Sequence, residues 1–73
     1  MRDYDFKLAL NGNNLTLKIH PHVEGNKTYY DLLFEDYTLS LYKDTLYTWA
    51  SDDPHGLSQA DIQSIGEQIE NEE

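Results

Sequence analysis

Residues 6–19 read Phe6-Lys7-Leu8-Ala9-Leu10-Asn11-Gly12-Asn13-Asn14-Leu15-Thr16-Leu17-Lys18-Ile19. Phe6, Leu8 and Leu10 alternate with other residues before Asn11-Gly12, and Leu15, Leu17 and Ile19 alternate after it. A period of two is that of a strand with one buried face. Asn-Gly suits a two-residue type I′ turn, because both turn positions require positive φ. With that turn, Leu8 lies opposite Leu15 and Phe6 opposite Leu17, while Lys7 meets Thr16 and Asp5 meets Lys18 on the other face. Hydrophobic pattern and turn chemistry select the same register. A longer Asn-rich loop over 11–14 is the competing connection.

Working outward, Glu24-Gly25-Asn26-Lys27 supplies a second turn. Centred on Gly25-Asn26, it places Ile19 opposite Leu32, Leu17 opposite Phe34, His20 opposite Asp31 and His22 opposite Tyr29. Pro21 has no N–H to give a ladder and belongs at an edge or a bulge. Its first-strand partner would be Arg2. The run 28–34 meets the run 37–43 across Glu35-Asp36, so that Phe34 faces Tyr37, Leu32 faces Leu39 and Tyr30 faces Leu41. A short connection at Lys43-Asp44-Thr45 leads to a fifth run, 46–50. With a two-residue turn there, Leu46, Thr48 and Ala50 join the aliphatic side, and Tyr47 and Trp49 the opposite side. After the loop 51–56 the period changes. Ser58 is an N-cap with Asp61 three residues on, Leu57 and Ile62 have staple spacing, and Ile62, Ile65, Gly66 and Ile69 form one helical stripe. Gly66 on that stripe implies a close approach to the sheet. The acids at the helix end, Glu67, Glu70, Glu72 and Glu73, oppose the helix dipole, so the last turn should fray. The fold expected is α+β: a four- or five-stranded antiparallel meander, strands about 4–10, 15–20, 28–34, 37–43 and 46–50, packed by one C-terminal helix over about 59–70.

A chain of 73 residues makes one domain. At this size only about 60% of the unfolded chain's surface is buried on folding. The absence of cysteine excludes disulfides and Cys-based zinc sites. Met1 to Asp5 carries no apolar run of the secretory kind, and no run approaches the roughly 20 apolar residues that span a bilayer. A soluble, cytoplasmic protein is the expectation. With 14 acids against 5 bases the formal charge is −9. Nucleic acids and anionic membranes should repel such a chain, whereas a basic protein should attract it. Solubility alone also accounts for the charge.

Two sheet faces follow from these registers. One is aliphatic, with Phe6, Leu8, Leu15, Leu17, Ile19, Leu32, Leu39, Leu41 and Leu46 among its members. A helix about 10 Å wide covers two or three strands of a sheet about 20 Å across. Either the sheet coils around the helix, or an apolar patch stays open and homodimerisation buries it. The other face mixes Lys18, His20, Asp31, Thr38 and Ser40 with the large residues Tyr29, Leu33, Tyr42, Tyr47 and Trp49. Those five are the candidate binding residues, since Tyr and Trp recur at binding hot spots. Ordinary cross-strand pairing is the competing account, and a helix seated on this face with Gly66 against Trp49 is another.

His20 and His22 are weak metal-ligand candidates, being alternate and hence on one face; the expectation is no metal and no cofactor. No cysteine nucleophile, G-x-S-x-G elbow or phosphate-cradling glycine loop is present. A non-enzyme is expected, with Tyr29, His22 and Asp31 the first suspects were activity found. The functional reading is an acidic protein–protein interaction module with an unknown protein partner, one that self-associates in one version. The alternatives are a small-molecule or metal-binding domain on the aromatic and histidine face, and an inhibitor of a basic protein that imitates nucleic acid.

Tyr47-Thr48-Trp49, Leu57-Ser58 and Ile65-Gly66-Glu67-Gln68-Ile69-Glu70 carry one resemblance. From Asp31 to Glu70 the chain resembles small bacterial domains of unassigned function, in which short strands ending in a Trp strand precede an acidic loop and a closing helix. The resemblance implies a meander plus helix and a bacterial source, and assigns no functional residue.

Overall fold

A computed structural model describes residues 2–72; Met1 and Glu73 lie outside the described residues, as does the side chain of Glu72. Five strands, β1 (Tyr4–Leu10), β2 (Asn13–Glu24), β3 (Lys27–Leu33), β4 (Thr38–Lys43) and β5 (Trp49–Ala50), precede one helix, α1 (Gln59–Glu72). The strands form one antiparallel sheet in the order β1-β2-β3-β4-β5. The fold is thus the expected α+β meander with a single helix.

The first three registers follow their turns. Asn11 and Gly12 have φ of 51° and 81°, and Leu8 pairs with Leu15 and Phe6 with Leu17. Gly25 supplies positive φ at the next turn, and Ile19 pairs with Leu32 and His22 with Tyr29. Tyr29 pairs with Tyr42, and Leu32 with Leu39. The hairpin closes on Leu10 and Asn13, so odd-numbered residues of β2 exchange backbone bonds with β1. Pro21 would therefore have aimed its missing N–H beyond Tyr4, where β1 pairing has stopped. β2 runs straight through it, buries it and pairs it with Tyr30.

β5 departs from expectation. The connection is not a two-residue turn but the longer loop 44–48, in which Asp44 N–H and Thr45 N–H both donate to the Thr48 carbonyl, at 2.8 and 3.3 Å. Lys43 then pairs with Trp49 and Tyr42 with Ala50. The shift reverses the parity of the strand. Trp49 turns inward and is buried, Ala50 takes the outer face, and Leu46 is left 71% exposed rather than in the aliphatic layer.

Phe6, Leu8, Ile19, Leu32, Leu39, Leu41 and Trp49 form the sheet side of the core, and Ile62, Ile65 and Ile69 the helix side. Ser58 caps the helix: Asp61 N–H donates to its Oγ at 3.1 Å, and Ser58 N–H donates back to Asp61 Oδ2 at 3.3 Å. Gly66 sits on the indole, where an added Cβ would lie 2.0 Å from Trp49 Cγ. The expected contact is present, but on the aliphatic face. The helix continues to Glu72 with no basic residue in its last turn; Lys43 of β4 supplies a cation to Glu70 instead.

The helix touches β1, β4 and β5, so it reaches both edges of the sheet. Its glutamines act there as short strands. Gln68 accepts from Ala9 N–H at 2.9 Å and donates to the Ala9 carbonyl at 2.8 Å. Gln63 accepts from Trp49 N–H and donates to the Tyr47 carbonyl, while Gln59 donates to the Trp49 carbonyl. A sheet whose two edges meet one helix is strongly coiled, which answers the coverage question raised by the sequence. Leu10, Leu17, Phe34 and Tyr37 pack partly buried against the core, and Leu15 at 38% and Val23 at 57% exposure are the apolar strand residues the aliphatic face leaves open.

Candidate functional site

The outer face is built from even positions of β2 and β4 and odd positions of β3. His20 and His22 stack with ring centroids 5.7 Å apart and His22 and Tyr29 at 5.5 Å, while Tyr29 and Tyr42 meet tilted by 55° at 5.4 Å. This ladder crosses three strands because each pair is directly opposite or two residues apart. Lys27 Nζ stands 4.3 Å from the centroid of the Tyr42 ring and closes the ladder with a cation–π contact.

Carboxylates hold the ladder in place. Asp31 accepts from Ser40 Oγ at 2.6 Å and lies 3.0 Å from His22 Nε2. His20 turns instead to Asp3, with Nδ1 2.5 Å from Oδ1. The sequence paired His20 with Asp31 as direct cross-strand neighbours; the carboxylate takes the diagonal neighbour, whose imidazole is tied to Tyr29. The loop 51–56 folds back over this face. His55 stacks on Tyr37 at 4.3 Å and its Nε2 is 3.2 Å from the Thr38 carbonyl. Tyr42 donates to Asp52 Oδ1 at 3.3 Å. Desolvation first, then the charge of Asp52 and this hydrogen bond, hold the Tyr42 phenol above its ordinary value.

Between loop and sheet lies an open concavity of about 400 Å³, lined by His22, Tyr29, Asp31, Ser40, Asp52 and His55 among others. No lysine or arginine lines it. Of the candidate binding residues, Tyr29 and Tyr42 stand together in the ladder. Leu33 shares the face at 40% exposure, and Tyr47 projects from the 44–48 loop at 80% exposure, off the sheet. Trp49 belongs to the core and not to this face, a correction that follows from the parity of β5. Asp52, His55 and Ser40 were missed as site residues, and Lys27 with them.

Asp31 separates His22 from Ser40, so the serine hydroxyl donates to the carboxylate and no imidazole is placed to take its proton. The two stacked histidines turn to different carboxylates and do not converge on one point. Among the described residues no group of three or more His, Asp or Glu could hold a metal ion. No helix of the described residues is long and apolar enough to cross a membrane.

Neither the protein-family models, the curated proteins nor the solved structures gave a match to this chain.

Proposed function

We propose that this protein is a non-enzymatic, acidic interaction module whose outer sheet face receives a basic segment of another protein. The observation that carries the reading is the concavity beside the aromatic ladder, walled by Asp31, Asp52 and Asp53 and free of lining lysine or arginine. Aromatic faces and carboxylates together suit a guanidinium or ammonium group, which gains ion pairing and cation–π contact at once. The net charge of −9 steers a basic partner toward the chain. We read the setting as a bacterial cytoplasm.

A volume of about 400 Å³ also falls in the range of small-ligand sites, which favours a small cationic ligand as the second reading. Titration with an arginine-rich peptide at rising salt tests the first. Binding should weaken as salt rises, and the pair Asp52→Lys with Asp53→Lys should weaken it by about tenfold or more. Equal response to an acidic peptide would contradict the reading. Free arginine binding as tightly as the peptide would favour the small-ligand alternative.

A further inference from the structure

β1 forms one border of the sheet, and its hydrogen-bonding phase is readable. The hairpin closes on Leu10 and Asn13, so the even-numbered residues of β1 exchange backbone bonds with β2. The odd-numbered residues aim N–H and C=O outward. Ala9 displays that phase directly, because both its groups are taken by the side-chain amide of Gln68. Lys7 and Asp5 stand in the same phase further along, and among the described residues no side chain bonds to their backbone. The helix thus closes one end of this border and leaves the other open.

We propose that the open stretch of β1 pairs with the same stretch of a second copy, antiparallel, about a twofold axis at Phe6. In that register Asp5 lies opposite Lys7 of the second copy, and Lys7 opposite its Asp5. Both side chains are exposed on the outer face, so two ion pairs form across the axis. Neighbouring registers fail. Centring on Asp5 sets two carboxylates against each other on the axis, and the Asp3 it brings opposite Lys7 lies outside β1 and is already held by His20. Centring on Lys7 opposes two ammonium groups and brings Asp5 against Ala9, whose backbone is already occupied. Lysine on a sheet border normally repels incoming strands; here the Phe6-centred register gives it a carboxylate from within β1. Gln68 fixes the extent of pairing by blocking it at Ala9.

Antiparallel pairing continues the pleat, so the outer faces of both copies lie on the same side of one extended sheet. The dimer presents two ladders and two concavities side by side. It is weak and salt-sensitive, because it rests on a few backbone bonds and exposed ion pairs. The proposal stands on the strand border alone and does not depend on the basic-partner reading.

Sedimentation velocity on the full chain, from micromolar to millimolar concentration at low salt, tests it. The chain should dimerise reversibly, with dimer lost as salt rises. Asp5→Lys and Lys7→Asp singly should each weaken association by about tenfold or more, and the double exchange should restore it. A monomer at every concentration, or single variants that associate like the parent, would overturn the proposal. Circular dichroism checks that each variant folds, since Asp5 also pairs with Lys18 at 3.2 Å. Were a variant to unfold, the parent's own amide spectrum decides: Asp5 and Lys7 shift on dilution, or the proposal fails. A parent that stays monomeric while those amides respond to an added peptide strand would overturn it in favour of a foreign strand.

Discussion

At the scale of single residues, the contact between Gly66 and Trp49 sets the distance of the helix from the sheet. Alanine at 66 gains up to about 1 kcal/mol of helix propensity, but its Cβ would enter the indole, 2.0 Å from Cγ. Overpacking costs about 1–3 kcal/mol, and Trp49 cannot slide away because Gln63 and Gln59 hold its backbone. Gly66→Ala should therefore lower stability by about 1–2 kcal/mol in a urea melt, and adding Trp49→Leu should reduce that penalty. A stabilised Gly66→Ala would contradict the packing. Tyr42 offers a test on the other face. Its phenol titrates above the ordinary value of 10.0, through desolvation and then Asp52. The fold therefore favours the protonated phenol, so Tyr42 contributes nothing to the pH dependence below that value. Stability falls as pH rises from there through the folded value. Absorbance titration of phenolate should show Asp52→Asn moving the Tyr42 midpoint down toward 10.0.

At the scale of elements, the glutamines of α1 replace missing strands at both sheet edges. Gln63→Ala leaves the Trp49 N–H and the Tyr47 carbonyl without their partner. It should cost about 1–3 kcal/mol, the usual penalty for unsatisfied groups near a core, and speed amide exchange at Trp49. Gln68→Ala should cost less, because its bonds to Ala9 are exposed and water replaces them. An equal cost at both positions would contradict this account. The hairpins were legible from the sequence for a physical reason. Asn11-Gly12 and Gly25-Asn26 specify turn length through positive φ, and turn length specifies register. The 44–48 loop has no such pair, so its length was not written in residue types; the shift turned Trp49 inward and Ala50 outward and left Leu46 and Tyr47 in the loop. Tyr29, Tyr42 and His22 could be placed together because they follow from register. Asp52 and His55 could not: their loop folds back through a ring stack on Tyr37 and positive φ at His55 and Gly56, neither of which leaves a periodic signal.

At the scale of the whole molecule, a strongly coiled sheet and one helix use up nearly all of the aliphatic face. That economy of burial removes the apolar patch as the reason to bind and leaves the mixed outer face as the surface on offer. Its rings are half-buried rather than enclosed: Tyr29, Tyr42 and His22 all retain partial exposure, whereas Trp49 retains 3%. The central claim is that the aromatic ladder, and not Trp49, meets the partner. Photochemically induced nuclear polarisation, which reports accessible Tyr, His and Trp side chains, tests it directly when recorded with and without an arginine-rich peptide. The account expects no Trp49 signal in either state, polarised Tyr42, His20 and His22 in the free protein, and loss of the Tyr42 and His22 signals, with Tyr47 unchanged, once the peptide is bound. A polarised Trp49, or a ladder that the bound peptide leaves untouched, would contradict it.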